Sequence, residues 1–297
     1  MYDIIIIGGG PAGLTAALYA CRANKSVLVI EKASFGGQIT YSPRVENIPG
    51  FLDVTGNEFA EKLVEQVLAQ NAEVECAQVL KITDNGEFKT VLTDSGEFTS
   101  KAVIVATGAK HRLLGLEREE EFIGEGISFC AVCDGAFYEG KDVIVIGGGN
   151  SALQEAVLLS KTSKSVTVIQ NLPHLTGEQK LQDILYADEK VSFIMPAEIL
   201  SFSKEGEKVS VNISADGEAK TVTADGVFVA IGLAPDNEAF KDNVELQYGY
   251  VKADESCLTS KEGIFTAGDC RTKSIRQIAT AVSDGATAAL AAISYIG

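Results

Sequence analysis

The chain has 297 residues, enough for two domains with separate cores. A composition of 46% hydrophobic and 22% charged residues is that of an ordinary globular protein, with no apolar run long enough to span a bilayer. A formal net charge of -16 argues against nucleic acid as a partner, because phosphate binding needs clustered Lys and Arg. The start, MYDIIIIGGG, lacks the basic segment and cleavage site of a secretory signal, so a cytoplasmic protein without a membrane partner is expected. The acidic run at residues 117–121 is expected to be a solvated face.

The β-branched run Tyr2–Ile7 predicts a strand, followed by the turn Gly8-Gly9-Gly10-Pro11-Ala12-Gly13, an alanine-rich helix to about residue 23, and a strand at residues 26–30 that ends on Glu31. Gly8 permits the tight turn, Gly10 lets the backbone approach a pyrophosphate, and Gly13 lets the helix pack on the strand. Phosphates at that helix N-terminus would meet unpaired N–H groups, and Glu31 is placed to bind a ribose diol. The alternative for such a glycine turn is packing alone; the strand, helix, second strand and terminal acid in register favour a dinucleotide.

Residues 79–99 alternate around Asp84-Asn85-Gly86 and Asp94-Ser95-Gly96, which predicts an antiparallel meander feeding a separate buried strand at 102–106. The glycine-turn unit then recurs: strand Asp142–Ile146, turn Gly147-Gly148-Gly149-Asn150-Ser151-Ala152, a helix to about Ser160, and strand Ser165–Ile169. A second meander spans residues 199–223 and feeds a strand at 226–231. The chain closes with Gly263-Ile264-Phe265-Thr266-Ala267-Gly268-Asp269 and a helix from about Gln277. The fold class is therefore α/β, with two doubly wound Rossmann-like domains that each carry a small antiparallel β-meander.

Of six cysteines, Cys21, Cys76 and Cys257 are taken as structural small hydrophobes and Cys270 as inert. Cys130 and Cys133 form a C-x-x-C pair, close enough in sequence to bridge across a turn. Zinc would require two more ligands at suitable spacing, and His111 and His174 lie in no paired motif, so no metal is expected. A C-x-x-C disulfide can accept two electrons and pass them on by thiol exchange.

Gly36-Gly37-Gln38, Val45-Glu46-Asn47-Ile48-Pro49-Gly50, Ala106-Thr107-Gly108, Cys130-Ala131-Val132-Cys133-Asp134-Gly135, Ala267-Gly268-Asp269 and Arg276-Gln277 occur in this order. The ordered set resembles the low-molecular-weight flavin thioredoxin reductases along nearly the whole chain. The resemblance implies FAD as cofactor, thioredoxin as partner and a homodimer. It implies an FAD domain of residues 1–112 and 246–297, and an inserted NADPH-domain-like fold of residues 113–245 that carries the dithiol. Gly8, Gly10, Pro11, Ala12, Glu31, Lys32, Gly37, Gln38, Asn47, Thr107, Gly108, Gly268, Asp269, Arg276, Gln277 and Ile278 match the family's flavin-contacting positions. By the same resemblance Cys133 is the flavin-side sulfur, Cys130 attacks the substrate disulfide, and Asp134 protonates the leaving thiolate; a helix N-cap is the plainer role for Asp134. The family alternates between two domain orientations, with hinges implied near residues 113–117 and 243–247.

NADPH-using members carry a His-Arg-Arg segment after the second unit's last strand, with another Arg four residues on. Here the stretch is Gln170-Asn171-Leu172-Pro173-His174-Leu175-Thr176, without an arginine for a ribose 2'-phosphate and without the strand-end acid of an NAD site. The second glycine turn is open to two readings, helix–strand packing or a working nucleotide site. The stretch resembles a subgroup that takes electrons from reduced ferredoxin, with Lys110, Arg112 and Arg271 as candidate basic contacts. NADPH or NADH as donor, a peroxidase-system reductase and a non-catalytic flavin redox sensor are the rival readings.

Overall fold

The computed structural model describes residues 1–42 and 44–297, which divide into two compact units, residues 1–110 with 234–297 and residues 111–233. The first unit opens with β1 (Tyr2–Ile7), α1 (Pro11–Arg22) and β2 (Val27–Glu31), with the two strands paired in parallel. β1 is isoleucine on both faces because both faces are covered. Ile4 and Ile6 pack with alanines of α1, while Ile5 and Ile7 join Ile82, Val91 and Phe240 on the other side. Pro11 opens α1, where its missing N–H costs nothing. In α2 (Gly56–Leu68), the Thr55 hydroxyl accepts from the Glu58 N–H and the Glu58 carboxylate accepts from the Thr55 N–H. β3 (Glu73–Cys76) adds a parallel strand beside β2.

The turn signals of the first meander fall between β4 (Val79–Asp84), β5 (Lys89–Thr93) and β6 (Glu97–Val105). The expected break before residue 102 does not occur. β6 pairs antiparallel with β5 through Ser100 and parallel with β1 through Val105, so the meander is continuous with the parallel sheet in the order β3-β2-β1-β6-β5-β4. No Gly or Pro between Thr99 and Val105 stops the strand, and one ribbon serves both pairings.

In the second unit, β7 (Ile127–Ser128) leads into the short helix α3 (Ala131–Asp134). Then come β8 (Asp142–Ile146), α4 (Asn150–Ser160), β9 (Ser165–Ile169), α5 (Gln179–Tyr186) and β10 (Val191–Ile194). β11 (Ala197–Glu205), β12 (Lys208–Ala215) and β13 (Glu218–Ala224) form a separate antiparallel sheet, and β14 (Gly226–Val229) returns to the parallel one. The parallel order is β10-β9-β8-β14-β7. Glu119 is not part of a solvated face: it is buried, and its carboxylate accepts the N–H groups of Leu114, Gly115 and Leu116.

The chain re-enters the first unit at residue 234, ahead of the expected 246. Phe240 and Val244 are buried in the same cluster as Ile5 and Ile7, and that burial fixes the boundary before them. β15 (Ile264–Thr266) then pairs in parallel with β6, and α6 (Ile278–Ile296) closes the chain. α6 lies against α1 at Gly285, where a Cβ would strike the Ala12 carbonyl. Among the described residues, no helix is long and apolar enough to cross a membrane.

Candidate active site: a dithiol centre and a dinucleotide cradle

Cys130 and Cys133 are joined as a disulfide with Cα atoms 5.3 Å apart, within the ordinary range. The sequence forces this closeness: Cys130 caps α3 with an extended backbone and Cys133 sits one turn later, its N–H donating to Cys130 Sγ at 3.2 Å. Both cysteines are half-buried, and Val132 between them is exposed, so the bridge is within reach of solvent.

Asp134 is half-buried, and its Oδ2 accepts from the Ser128 hydroxyl at 2.6 Å. The same hydroxyl oxygen accepts from the Cys130 N–H at 3.1 Å, tying the carboxyl group to the bridge through one side chain. Asp134 caps no helix with its side chain, so the plainer N-cap role does not apply. Its Oδ1 is buried without a partner, and burial raises its pKa above the ordinary carboxylate range. Glu155 on α4 is a second buried acid near the same place, raised to about 8 by burial, although the Ala131 N–H lowers it, with the Asp134 charge adding to the rise. Ser128 and Glu155 were not singled out from the sequence. A serine two residues before a C-x-x-C was a weak signal for the first; nothing local marked the second.

The remaining cysteines differ. Cys257 and Cys270 are buried, Cys257 with its thiol raised to about 12 by burial, and Cys270 with its thiol against the carbonyls of Val105 and Ala267. Cys21 is half-buried. Cys76 is exposed at the end of β3, so it is not the small core hydrophobe expected of it. Arg271 is also unlike its expectation. It is fully buried, donating through Nε and Nη2 to the Asp284 carboxylate at 2.8 and 2.9 Å, and cannot serve as a surface contact.

The first glycine turn draws most of the expected cofactor residues together. Gly8 has φ of 112°, and a side chain there would strike the Ala106 carbonyl, immediately before Thr107 and Gly108. Gly10 caps α1 with nothing crowding its Cβ position, followed by Pro11 and the buried Ala12. Gly36 donates its N–H to Gly9 O at 2.8 Å, which brings Gly37 against Gly10 and Gln38 to the exposed start of a 3-10 turn. Glu31 accepts the N–H groups of Gly9 and Ala33 at 2.8 and 2.9 Å, and Lys32 pairs with Asp236. Thr107 donates to Asn237 Oδ1 at 2.8 Å, and the buried Asn237 ties it to the carbonyls of Gly249 and Cys270; Asn237 was not anticipated.

From the carboxyl-terminal segment, Gly268 packs on Ala12 and donates to Asp284 at 3.0 Å. Asn47 donates to Gln277 Oε1 at 3.1 Å, and Gln277 caps α6 just before Ile278. The Asp269 carboxyl is buried, its pKa raised by burial, with Oδ1 unpartnered; Arg276 lies over the Tyr250 ring at 4.6 Å with Nε buried and unpartnered. Native folds rarely leave such atoms orphaned, so a bound polar group is fitted by this set. A Gly-rich turn at a helix N-terminus, a strand-end acid and two orphaned polar groups fit a dinucleotide.

The second glycine turn is built differently. Gln170 is buried with its amide over Gly148, and its Oε1 accepts from the Asn171 N–H at 3.1 Å. Thr176 and Gly177 donate their N–H groups to Gly148 O. Glu178 donates its N–H to Asn150 Oδ1 at 2.7 Å, which sets its own carboxylate beside the first residue of α4. No Lys or Arg occurs from Gln170 to Gln179.

Residues 2–285 match the pyridine nucleotide-disulphide oxidoreductase family. A thioredoxin reductase of Listeria monocytogenes is 41% identical over 300 residues, covering 100% of this chain and 94% of its own. A 34.2 kDa protein in a rubredoxin operon of Clostridium pasteurianum is 42% identical over 299 residues, covering 99% and 97%. The crystal structure of thioredoxin reductase from Streptococcus pyogenes MGAS5005 superposes with a TM-score of 0.95 at 42% identity, covering 100% of this chain and 98% of that one. The chain therefore belongs to the pyridine nucleotide-disulphide oxidoreductases, within their low-molecular-weight thioredoxin reductase branch. It is an FAD-binding flavin disulfide oxidoreductase.

Proposed function

We propose that this chain reduces thioredoxin through Cys130 and Cys133, with electrons from reduced ferredoxin rather than from NADPH or NADH. FAD, when bound, supplies two-electron chemistry that couples a donor to a disulfide. The chain's own part is to hold the cofactor and to manage thiols and protons. Gly8, Gly10, Pro11 and Ala12 would take the pyrophosphate at the α1 N-terminus, with Gly37 and Gln38 beside them and Glu31 and Lys32 at the ribose. Asn47, Thr107, Gly108, Gly268, Asp269, Arg276, Gln277 and Ile278 would hold the remainder, with the orphaned groups of Asp269 and Arg276 finding their partners there. Cys130 attacks the substrate disulfide, Cys133 resolves the mixed disulfide, and Asp134 protonates the departing thiolate.

The observation that carries the donor assignment is the segment from Gln170 to Glu178. A nucleotide phosphate at the second turn would find no cation in that segment, and it would meet the Glu178 carboxylate next to the α4 N-terminus. Each missing charge-assisted bond is worth roughly 1.5–3 kcal/mol, so the loss of several removes useful affinity. Lys110 and Arg112 are exposed and are the basic contacts retained for the ferredoxin donor. A cytoplasmic homodimer belongs to the same reading.

Anaerobic stopped-flow mixing of the holoenzyme with NADPH, NADH and reduced ferredoxin, in parallel, tests the donor. Rapid flavin bleaching by ferredoxin alone is the expected result. Rapid bleaching by either nucleotide would overturn the assignment and restore the second turn as a working nucleotide site.

A further inference from the structure

Asn237 is only 1% exposed, and both ends of its side-chain amide are engaged. Nδ2 donates to Gly249 O at 3.0 Å and to Cys270 O at 2.9 Å, and Oδ1 accepts from the Thr107 hydroxyl at 2.8 Å. These partners lie 12, 33 and 130 residues away in the chain. Main-chain carbonyls only accept, so two of them fix which end of the amide is the nitrogen, and Thr107 must then be the donor at the other end. The backbone of Asn237 is anchored as well: its carbonyl accepts the Phe240 N–H at 2.9 Å, and Phe240 is buried in the core.

Each partner belongs to a segment that carries or supports a residue assigned to FAD. Thr107 follows β6, and its main-chain nitrogen lies 3.1 Å from where a Cβ on Gly8 would stand. Cys270 follows Asp269, whose Oδ1 is orphaned, and Gly249 precedes Tyr250, whose ring carries Arg276 at 4.6 Å. One buried side chain thus holds Thr107 in register with the two residues that have orphaned polar atoms. Thr107 itself is half-buried, so part of it stays open. Its one hydroxyl proton is committed to Asn237, which leaves the oxygen as an acceptor. While that bond holds, Thr107 can receive a hydrogen bond from a sugar hydroxyl or ring N–H but cannot donate one to a phosphate oxygen.

We propose that Asn237 is a positioning residue for FAD: it fixes the direction in which the Thr107 hydroxyl oxygen faces the cofactor, with the Gly249 and Cys270 carbonyls as its anchors. The inference rests on the reading of Thr107 as a cofactor contact. Without the amide the Thr107 hydroxyl is free to rotate, and FAD has to order it on binding.

The dissociation constant of FAD from the apoprotein reads this directly, through the change in flavin fluorescence on binding. It is measured for the native chain, Asn237→Ala, Asn237→Ser, Thr107→Val, Thr107→Ser and the Asn237→Ala, Thr107→Val pair. Thr107→Val and Asn237→Ala are each expected to weaken binding by about tenfold, the scale of one neutral hydrogen bond. The pair should bind no more weakly than the weaker single variant, whereas independent losses would multiply to about a hundredfold. Asn237→Ser keeps a donor and an acceptor and should lose less than Asn237→Ala. Thr107→Ser keeps the hydroxyl and should bind FAD as the native chain does. Urea unfolding shows which apoproteins are folded at the titration temperature, and where Asn237→Ala does not fold, Asn237→Ser replaces it in the pair. A loss of stability that leaves the apoprotein folded does not alter the constant, so a merely structural Asn237 would leave it unmoved. Native affinity in the Asn237 variants with a loss in Thr107→Val would overturn the role of Asn237 alone. A multiplied loss in the pair would overturn it too, since Asn237 would then act apart from Thr107. Native affinity in Thr107→Val would overturn the reading of Thr107 as a cofactor contact, and the inference with it.

Discussion

Glu155 and Asp134 give the dithiol centre an acidity that a fold would ordinarily avoid, and that has a consequence for stability. Glu155 binds its proton more tightly in the folded chain than an ordinary glutamate, with its pKa moved from 4.5 to about 8 by burial. Between those values the folded state keeps a proton that the unfolded chain has released, so this group's contribution falls as pH rises and is at its worst above about 8. Glu155→Gln carries no such charge and should gain stability over the native protein as pH rises through that window. Urea unfolding at about pH 5 and about pH 9 reads the difference, and an equal offset at both would contradict it. The Arg271 pair has the opposite logic. Asp284 is held ionised against Arg271 and Lys273, so Arg271→Met leaves a buried carboxylate short of a partner and should cost about 3–5 kcal/mol in the same assay. Cys130→Ser should keep bound FAD and lose thioredoxin reduction, which absorbance and turnover measure separately.

The glycine turns were legible in the sequence because their demands are local. A strand, three glycines and an alanine-rich helix specify the geometry within a few residues, and Gly8 against Ala106 shows why no side chain is tolerated there. The long strand β6 was not legible as one element, since alternating and continuous apolar patterns join inside it at Ser100. Asn237 and Glu155 were missed for a related reason: they meet their sites through residues distant in the chain, with Asn237 lying 130 residues from its bond partner Thr107, whereas Ser128, two residues before Cys130, was a weak local signal. The contact of α6 with α1 offers a test at this scale. A Cβ at Gly285 would meet main chain, which cannot rotate away, so Gly285→Ala should cost about 1–3 kcal/mol in the apoprotein. It should lower the FAD bound per chain with it. A thermal midpoint unchanged from the native protein would show that the two helices have room the packing does not suggest.

For the chain as a whole, two repeated βαβ units predicted two α/β units, and the match to known thioredoxin reductases over the full length carries the function with it. The boundary at residue 234 was harder to place, because burial of Phe240 and Val244 leaves no mark in composition. The second glycine turn shows where pattern alone stops. Gly147, Gly148 and Gly149 are those of a nucleotide site, while the side chains around them, Gln170 and Glu178, present no cation to a phosphate.

Cys130 and Cys133 are proposed as the redox-active pair of a flavin enzyme, and anaerobic reductive titration of the holoenzyme beside its Cys133→Ser variant counts the electrons that pair holds. The native protein should take up one more two-electron equivalent per chain than the variant, the share held by the disulfide. Equal uptake by the two proteins would mean that the Cys130–Cys133 bridge takes no electrons and is not the redox centre.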